Sequence, residues 1–313
     1  MNGELSHLKK LSAVRSGKNI KFLPPAVYSG GWCPMRVACN IAEDMRGLSY
    51  LMVCMPECAT HSRGMLSAPE GPDGELRWLY VLDDKEVIFG CREGVMDALR
   101  AMDEAGARAI LMVATCVTDL IGEDFEGIIS ELQPELKARL TYVTLGQFKN
   151  FGSGIGTWKT AEALAELMEP KEVKKQQCNV MFIEPWRAKT APVELPLIIH
   201  ALKKRGIPMR HLTASATLDD YLDASDAELN LVVSSYTQPL AKKMKERFGT
   251  EYSPLHMAFD VESVDREYAL IEERFGVDLK EEFAPWRKKA LELERKLRKN
   301  KFDLNDLLDQ LQQ

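Results

Sequence analysis

Short apolar runs that alternate with helical segments constrain this fold more than any other feature of the sequence. Residues 50–55 and 109–114 are each six consecutive apolar residues, the length of a buried strand. Between them, residues 86–105 repeat apolar side chains every three or four positions, as one face of a helix does. Strands that alternate with helices indicate parallel sheets with helices on both faces. The sequence therefore predicts an α/β protein.

The alternation continues along most of the chain and predicts two Rossmann-like domains followed by C-terminal helices. Residues 169–177 are polar and include Pro170, which places a domain boundary there. The predicted units are an N-terminal arm (1–21), a first domain (22–170), a second domain (171–260) and a helical segment (261–313).

Composition excludes several classes of function. The formal net charge of −6 argues against nonspecific nucleic-acid binding, which needs a basic face. No run of 18 apolar residues occurs, so we expect no contact with a membrane. Residues 1–21 lack the apolar centre of a signal peptide, and we expect a cytoplasmic protein.

Three of the seven cysteines lie at turns where strands or helices begin or end. Cys33 precedes a helical run, whereas Cys58 and Cys116 follow the apolar strands at 50–55 and 109–114. Parallel strands deliver side chains to one edge of the sheet, so thiols at two strand ends and one loop can converge. Converging thiolates are the usual ligands of iron–sulfur clusters.

The odd number of cysteines does not suit a disulfide framework. Buried free cysteine behaves as a small apolar residue, and we favour this packing role for Cys54, Cys91 and Cys178. A cubane cluster needs four ligands, so Cys39, Cys54 and His61 are candidates for an additional one. A histidine near a strand end more often has a hydrogen-bonding role.

Two motifs and one spacing pattern resemble a known family. Residues 114–124 read Ala-Thr-Cys-Val-Thr-Asp-Leu-Ile-Gly-Glu-Asp, and Phe89-Gly90 stands upstream. These segments, and the intervals between Cys33, Cys58 and Cys116, resemble the catalytic component (component 1) of the nitrogenase family, to which tetrapyrrole reductases are related. The resemblance extends over about residues 22–299.

The resemblance implies a cluster, a partner and an electron donor. Cys33, Cys58 and Cys116 would hold a [4Fe-4S] or larger, P-cluster-like iron–sulfur cluster near a subunit interface. The chain would form a homodimer, or a heterodimer with a related component 1 subunit. A separate ATP-dependent iron protein would donate electrons, and the protein would be handled anaerobically.

Departures from the family pattern restrict the expected chemistry. The resemblance implies a third α/β domain in full-length family members, and we expect this chain to lack it. The cysteine that binds the nitrogenase active-site cofactor is expected near residues 234–236, which read Ser-Ser-Tyr. We therefore expect no iron–molybdenum-type cofactor. His211, His256 and the loop at 184–187 are candidates for a substrate or second-cofactor site, because strand-end loops bind ligands in α/β proteins.

Three functions remain open from the sequence. The first is a nitrogenase-like oxidoreductase subunit that relays electrons to a reducible substrate. The second is a scaffold for assembling an iron–sulfur cluster or cofactor, and the third is a non-catalytic partner subunit of a heterodimer. The sequence has no Gly-x-x-x-x-Gly-Lys-Ser/Thr phosphate-binding loop. Asp119, Glu123 and Asp124 are expected to stabilise helix N-termini rather than to perform acid–base catalysis.

Overall fold

Two parallel sheets organise the chain in a computed structural model that describes residues 33–63, 69–146, 153–183, 195–257 and 260–299. The strands of the first sheet are β1 (Ser49–Cys54), β2 (Arg77–Val81), β3 (Ala109–Ala114) and β4 (Arg139–Thr144). Their spatial order is β2-β1-β3-β4, and every pairing is parallel. β1 and β3 are buried along their whole length, which explains their continuous apolar runs.

The second sheet repeats this arrangement. Its strands are β5 (Lys174–Met181), β6 (Met209–Leu212), β7 (Ala227–Val232) and β8 (Glu251–Ser253). Their order is β6-β5-β7-β8, again with parallel pairing throughout. In each sheet, the strand that comes first in the sequence lies between the second and the third. The connection from the second strand to the third therefore crosses over the first. The predicted α/β fold with two Rossmann-like units is confirmed.

Helices connect the strands and cover the sheets. In the first unit they are α1 (Pro34–Asp44), α2 (Pro56–Arg63), α3 (Asp84–Phe89), α4 (Arg92–Glu104), α5 (Cys116–Ile121), α6 (Phe125–Leu132) and α7 (Ser153–Leu164). In the second they are α8 (Leu195–Lys204), α9 (Leu218–Leu222) and α10 (Gln238–Phe248), followed by α11 (Val261–Phe275) and α12 (Lys280–Lys299). None of the helices in the described ranges is long and apolar enough to cross a membrane.

The helices of the first unit differ from the sequence prediction in two ways. The single helix predicted at 86–105 is two helices, α3 and α4, because Gly90 breaks it with a φ of 90°. Such a φ is accessible to glycine and rare for other residues. Cys91 therefore lies at the start of α4 rather than inside a helix. The short helices α2, which contains Cys58, and α5, which begins at Cys116, were not predicted.

Two strands of the second unit also differ from the prediction. β5 begins at Lys174, inside the stretch predicted to be a polar boundary. The prediction missed this part of the strand because its first four residues are polar and only Cys178–Met181 is buried. β8 has only three residues, too few for an apolar pattern to be recognised.

A single buried cluster of apolar side chains includes residues of both sheets. α7 follows the first sheet and packs against α1 on one side and α10 on the other. The cluster contains Met52 and Val113 from the first sheet together with Met181 and Val232 from the second. The two units therefore share a core, and this core supports the N-terminus of α1.

Candidate functional site

Cys58 and Cys116 lie at the carboxyl edge of the first sheet. Cys58 is the third residue of α2, which follows β1, and Cys116 is the first residue of α5, which follows β3. β1 and β3 are direct neighbours. The Thr115 hydroxyl donates a hydrogen bond to the Val53 carbonyl oxygen at 2.9 Å, which joins the two strand ends. Neighbouring parallel strands thus bring together two cysteines that are 58 positions apart in the sequence.

Cys33 reaches the same edge from a helix that packs on the sheet. It is the residue immediately before α1, whose first position is Pro34. α1 packs against β1, β3 and α7, so its N-terminus is held over the sheet. The nearby backbone groups of Met35 and Arg36 act to lower the pKa of the Cys33 thiol, and the Arg36 N–H donates a hydrogen bond to the Cys33 carbonyl oxygen at 2.9 Å. All three cysteines therefore stand at or beside the first turn of a helix, where backbone N–H groups stabilise a thiolate.

The three thiols are close enough to influence one another electrostatically. Burial raises the pKa of Cys33, and negative charge on Cys116 and Cys58 would raise it further. Burial also raises the pKa of Cys58, with Cys116 again contributing. Each of the three residues is half-buried and free of disulfide bonds. The structure therefore brings together the three cysteines that the sequence selected.

The thiols are not arranged around a single metal ion. Among the described residues, no three His, Cys, Asp or Glu side chains converge as the ligands of one ion would. A multi-iron cluster differs because separate irons bind separate thiolates, which keeps the sulfur atoms further apart. The donor set, three half-buried cysteines near backbone N–H groups, suits a cluster of this kind.

The candidates for an additional ligand have different surroundings. Cys39 is buried, with its Sγ 4.0 Å from the Met52 Sδ, and burial raises its pKa. Cys54 is buried in β1, and burial raises its pKa to about 12. These surroundings favour the packing role. His61 belongs to α2, but its side chain lies outside the described part of the structure.

The remaining cysteines, Cys91 and Cys178, belong to the apolar cores of the first and second sheets. Burial raises the pKa of both thiols.

Acidic residues after Cys116 act at helix N-termini, but one of them serves a different helix from the one expected. The Asp124 carboxylate accepts a hydrogen bond from the Gly127 N–H and caps α6. The Glu123 carboxylate instead accepts one from the Cys91 N–H at 2.6 Å, which is the N-terminus of α4. Local sequence patterns could not predict this hydrogen bond, because it joins residues 32 positions apart.

An exposed apolar surface borders Cys116. α3 and α5 pack against each other and present four apolar side chains to solvent. This surface, the apolar edge, consists of Ile88, Phe89, Leu120 and Ile121. Phe89 is 84% exposed and Ile88 is 74% exposed, values that are unusual for such large apolar residues. Sequence reasoning missed this surface, since apolar periodicity does not show which face is covered.

The carboxyl edge of the second sheet is more polar. Ser234 is buried, and its hydroxyl donates to the Ile183 carbonyl oxygen at 3.0 Å. His256 lies between the Val232 carbonyl oxygen and the Gln238 Oε1, and burial lowers its pKa. His211 is exposed on β6. The predicted loop at 184–187 lies outside the described residues.

The fold and the site define an α/β protein of two parallel sheets that gathers thiols at the carboxyl edge of the first. A sequence profile of the family described as "Nitrogenase component 1 type Oxidoreductase" matches residues 33–304. This chain belongs to that family.

Curated relatives are similar over part of their length. The chain is 25% identical to the nitrogenase iron-molybdenum cofactor biosynthesis protein NifE of Nostoc over 61% of this chain and 40% of that protein. For NifE of Rhodobacter capsulatus the identity is 25%, over 78% of this chain and 52% of the relative. For the nitrogenase molybdenum-iron protein alpha chain of Methanothermobacter marburgensis it is 23%, over 63% and 42%. The chain thus spans about half or less of these relatives.

Solved structures share the fold. A structure described as "Nitrogenase Cp1 at pH 6.5" superposes with a TM-score of 0.59 and 15% identity, over 79% of this chain and 58% of that one. A second, "Nitrogenase Cp1 at pH 5", has a TM-score of 0.56 and 17% identity, over 86% and 56%.

Proposed function

We propose that this chain is an iron–sulfur subunit of a nitrogenase-like reductase. It accepts electrons from an ATP-dependent iron protein and relays them to a reducible substrate. The observation that carries the proposal is the grouping of Cys33, Cys58 and Cys116 at one edge of the first sheet, where the neighbouring thiols contribute to the raised pKa of Cys33 and of Cys58. Membership of the component 1 family supports the same chemistry.

Cys33, Cys58 and Cys116 are the residues that would hold the cluster, which supplies one-electron redox chemistry when it is bound. The protein's own contribution is to orient the thiols. Burial raises the pKa of Cys33 and of Cys58, and the nearby backbone groups of Met35 and Arg36 oppose this effect at Cys33. Iron that binds there would displace the thiol protons.

The apolar edge supports assembly with a second protein. Leu120 and Ile121 follow Cys116 on the same short helix, so a partner seated on them would exclude water from the cysteines. Large exposed apolar side chains that lie together are typical of protein interfaces. We propose that this partner is a second component 1-type subunit, which completes the site. Since the sequence has no phosphate-binding loop, the proposed ATP chemistry belongs to the iron protein.

Anaerobic purification tests the cluster. We expect a brown protein that contains iron and inorganic sulfide, with an electron paramagnetic resonance signal after reduction. Cys33→Ala, Cys58→Ala and Cys116→Ala should each lose iron or change the signal. Cys178→Ala, a buried cysteine in the second sheet, is the matched control and should retain both. A colourless wild-type protein would reject the assignment.

A separate measurement tests electron relay. The loaded protein is mixed with an ATP-dependent iron protein, and the visible absorbance is followed with and without ATP. Bleaching that requires ATP supports the reductase. Bleaching that is independent of ATP, or absent, contradicts it while leaving cluster binding intact.

Cofactor assembly is the second candidate, and the names of several relatives favour it. Proteins from Nostoc and Rhodobacter capsulatus that this chain resembles are named for iron-molybdenum cofactor biosynthesis. A scaffold would release its intact cluster to an acceptor protein without turning over a substrate. Transfer of iron and sulfide together to an acceptor, measured after gel filtration, would favour this function over electron relay.

A further inference from the structure

The helices α11 and α12 enclose a groove of about 440 Å³ that the proposed electron relay does not use. Apolar side chains of both helices line it, with Val264 and Tyr268 on α11 and Phe283 and Ala284 on α12. The rings of Tyr268 and Phe283 stack with their centroids 4.1 Å apart. This C-terminal groove therefore has an apolar interior of the kind that receives an amphipathic helix.

Charged side chains mark the groove's rim. Arg287 on α12 forms two hydrogen bonds to the Asp265 carboxylate on α11, at 2.8 and 2.7 Å. Both side chains remain about half exposed. Lys280 stands at the other end of the groove, at the start of α12. Glu272 on α11 also lines the groove and accepts a hydrogen bond from the Leu279 N–H at this end, so the rim carries charges of both signs.

The chain leaves α12 close to one end of the groove. The Glu294 carboxylate accepts a hydrogen bond from the Val261 N–H at 2.8 Å, and Val261 lines the groove. α12 ends at Lys299, which is about 7 Å further along the helix axis. Fourteen residues, 300–313, follow this point. The segment therefore starts within a few residues' reach of the groove.

The sequence of residues 300–313 predicts a separate amphipathic helix. A basic run at 295–299 is followed by Asn300, a pattern typical of a helix end. Asp303 then stands where an N-cap is expected. The next leucines have the i, i+3, i+4, i+7 spacing of one helical face, at positions Leu304, Leu307, Leu308 and Leu311.

We propose that residues 304–311 bind in the C-terminal groove of their own chain as an additional helix. Eight helical residues span about 12 Å, and the groove extends about 15 Å along α12 from Lys280 to Ala290. The leucines would replace water against Tyr268 and Phe283. Asp306 and Asp309 would face outward, toward solvent.

Hydrogen exchange measured by mass spectrometry on the full chain tests this proposal. The double variant Leu307→Asp/Leu308→Asp should exchange about tenfold faster at amides of α11, because the groove becomes open to water. Gln310→Asp/Gln312→Asp adds the same charge outside the leucine face and should leave the exchange unchanged. Unchanged exchange in the leucine variant would overturn the proposal.

A reciprocal variant and a change of protein concentration complete the test. Ala284 is an exposed residue that lines the groove, so Ala284→Glu should speed exchange at residues 304–311 about tenfold, whereas Lys288→Glu should not. Hydrogen exchange at residues 304–311 that is equal in both variants contradicts the proposal. Protection that rises with protein concentration would identify a second copy as the occupant and would also overturn it. None of these readouts requires a cluster, so they are independent of the proposed redox function.

Discussion

Gly156 lies against the backbone of Pro34, so that a Cβ atom at position 156 would stand 2.5 Å from the Pro34 carbonyl oxygen. The glycine belongs to α7 and the proline is the first residue of α1, directly after Cys33. This close approach fixes the N-terminus of α1 over the sheet. The position of one thiol therefore depends on the absence of a side chain on a different helix.

Gly156→Ala should destabilise the protein in spite of alanine's better helix propensity. The propensity gain is about 1 kcal/mol, whereas overpacking of a tight contact costs about 1–3 kcal/mol. The backbone of Pro34 has less freedom to move than a flexible side chain, so we expect a net loss of about 1–2 kcal/mol. Urea denaturation measures this difference.

Glu162→Ala is the control for Gly156→Ala, since Glu162 is exposed on the same helix. It should change the free energy of unfolding by less than about 0.5 kcal/mol. A Gly156→Ala variant as stable as the wild type would show that α1 and α7 separate at no cost.

Strand and helix order was predictable from the sequence because local apolar patterns determine it. The runs at 50–55 and 109–114 are buried on both faces, so they carry a signal that needs no tertiary information. β5 escaped full recognition because Lys174, Lys175 and Gln176 are exposed members of the strand. The sequence shows Gly90 but not its backbone conformation. Its φ of 90° is what ends α3 and separates it from α4.

The candidate site was predictable only in part. Cys58 and Cys116 could be selected because parallel strands deliver their carboxyl ends to one edge. Contacts between distant elements could not be predicted, and the Glu123–Cys91 hydrogen bond is one example. The exposure of Phe89 could not be predicted either. A phenylalanine is buried when another element covers it and exposed when none does, and the sequence does not show which case applies.

Glu123→Ala should loosen the turn that presents Phe89 to solvent. The Cys91 side chain makes no capping hydrogen bond for α4, so the Glu123 carboxylate serves in its place. Loss of a cap costs about 1–2 kcal/mol. We expect faster hydrogen exchange at residues 91–94 and a matching fall in the free energy of unfolding.

Glu104→Ala is the control for this experiment, because Glu104 is an exposed residue at the other end of α4. An acid near a helix C-terminus is unfavourable, so its removal should be neutral or slightly stabilising. Equal destabilisation by Glu104→Ala and Glu123→Ala would contradict the capping role of Glu123.

Asp226 should contribute stability that is lost in acid. Its carboxylate is 1% exposed and accepts hydrogen bonds from Arg210 at 2.8 Å and 3.2 Å. Burial opposes ionisation, but the hydrogen bonds from Arg210 and Lys174 outweigh it and lower the pKa of Asp226. A carboxyl whose pKa is lower in the folded state stabilises the protein above its unfolded pKa of about 4. This contribution disappears as the pH falls through the folded pKa.

Asp226→Asn tests that relationship by urea denaturation across the acid range. The variant should be less stable than the wild type by about 3 kcal/mol at neutral pH, because the partly buried Arg210 loses its ionic partner. The difference should start to narrow as the pH falls below about 4, because the carboxyl is then protonated in the unfolded chain. It should be lost once the pH is also below the lowered pKa of Asp226 in the folded protein. Asp97→Asn, at an exposed ion pair, should have a much smaller effect. A difference that stays constant with pH would rule out ionised Asp226 as the source.

Phe89→Asp should weaken assembly without unfolding the subunit. Phe89 is 84% exposed and contributes little to the core, so its replacement should leave the melting temperature unchanged. If the apolar edge is covered by a second subunit, the charge would have to be buried there, and we expect association to weaken at least about tenfold. Sedimentation of the anaerobically purified protein over a range of concentrations measures this constant. Val173→Asp replaces another exposed apolar residue, 49% exposed and near the start of β5, and should not change it. Equal association of the Phe89 variant and the wild type would show that the subunits meet through a different surface.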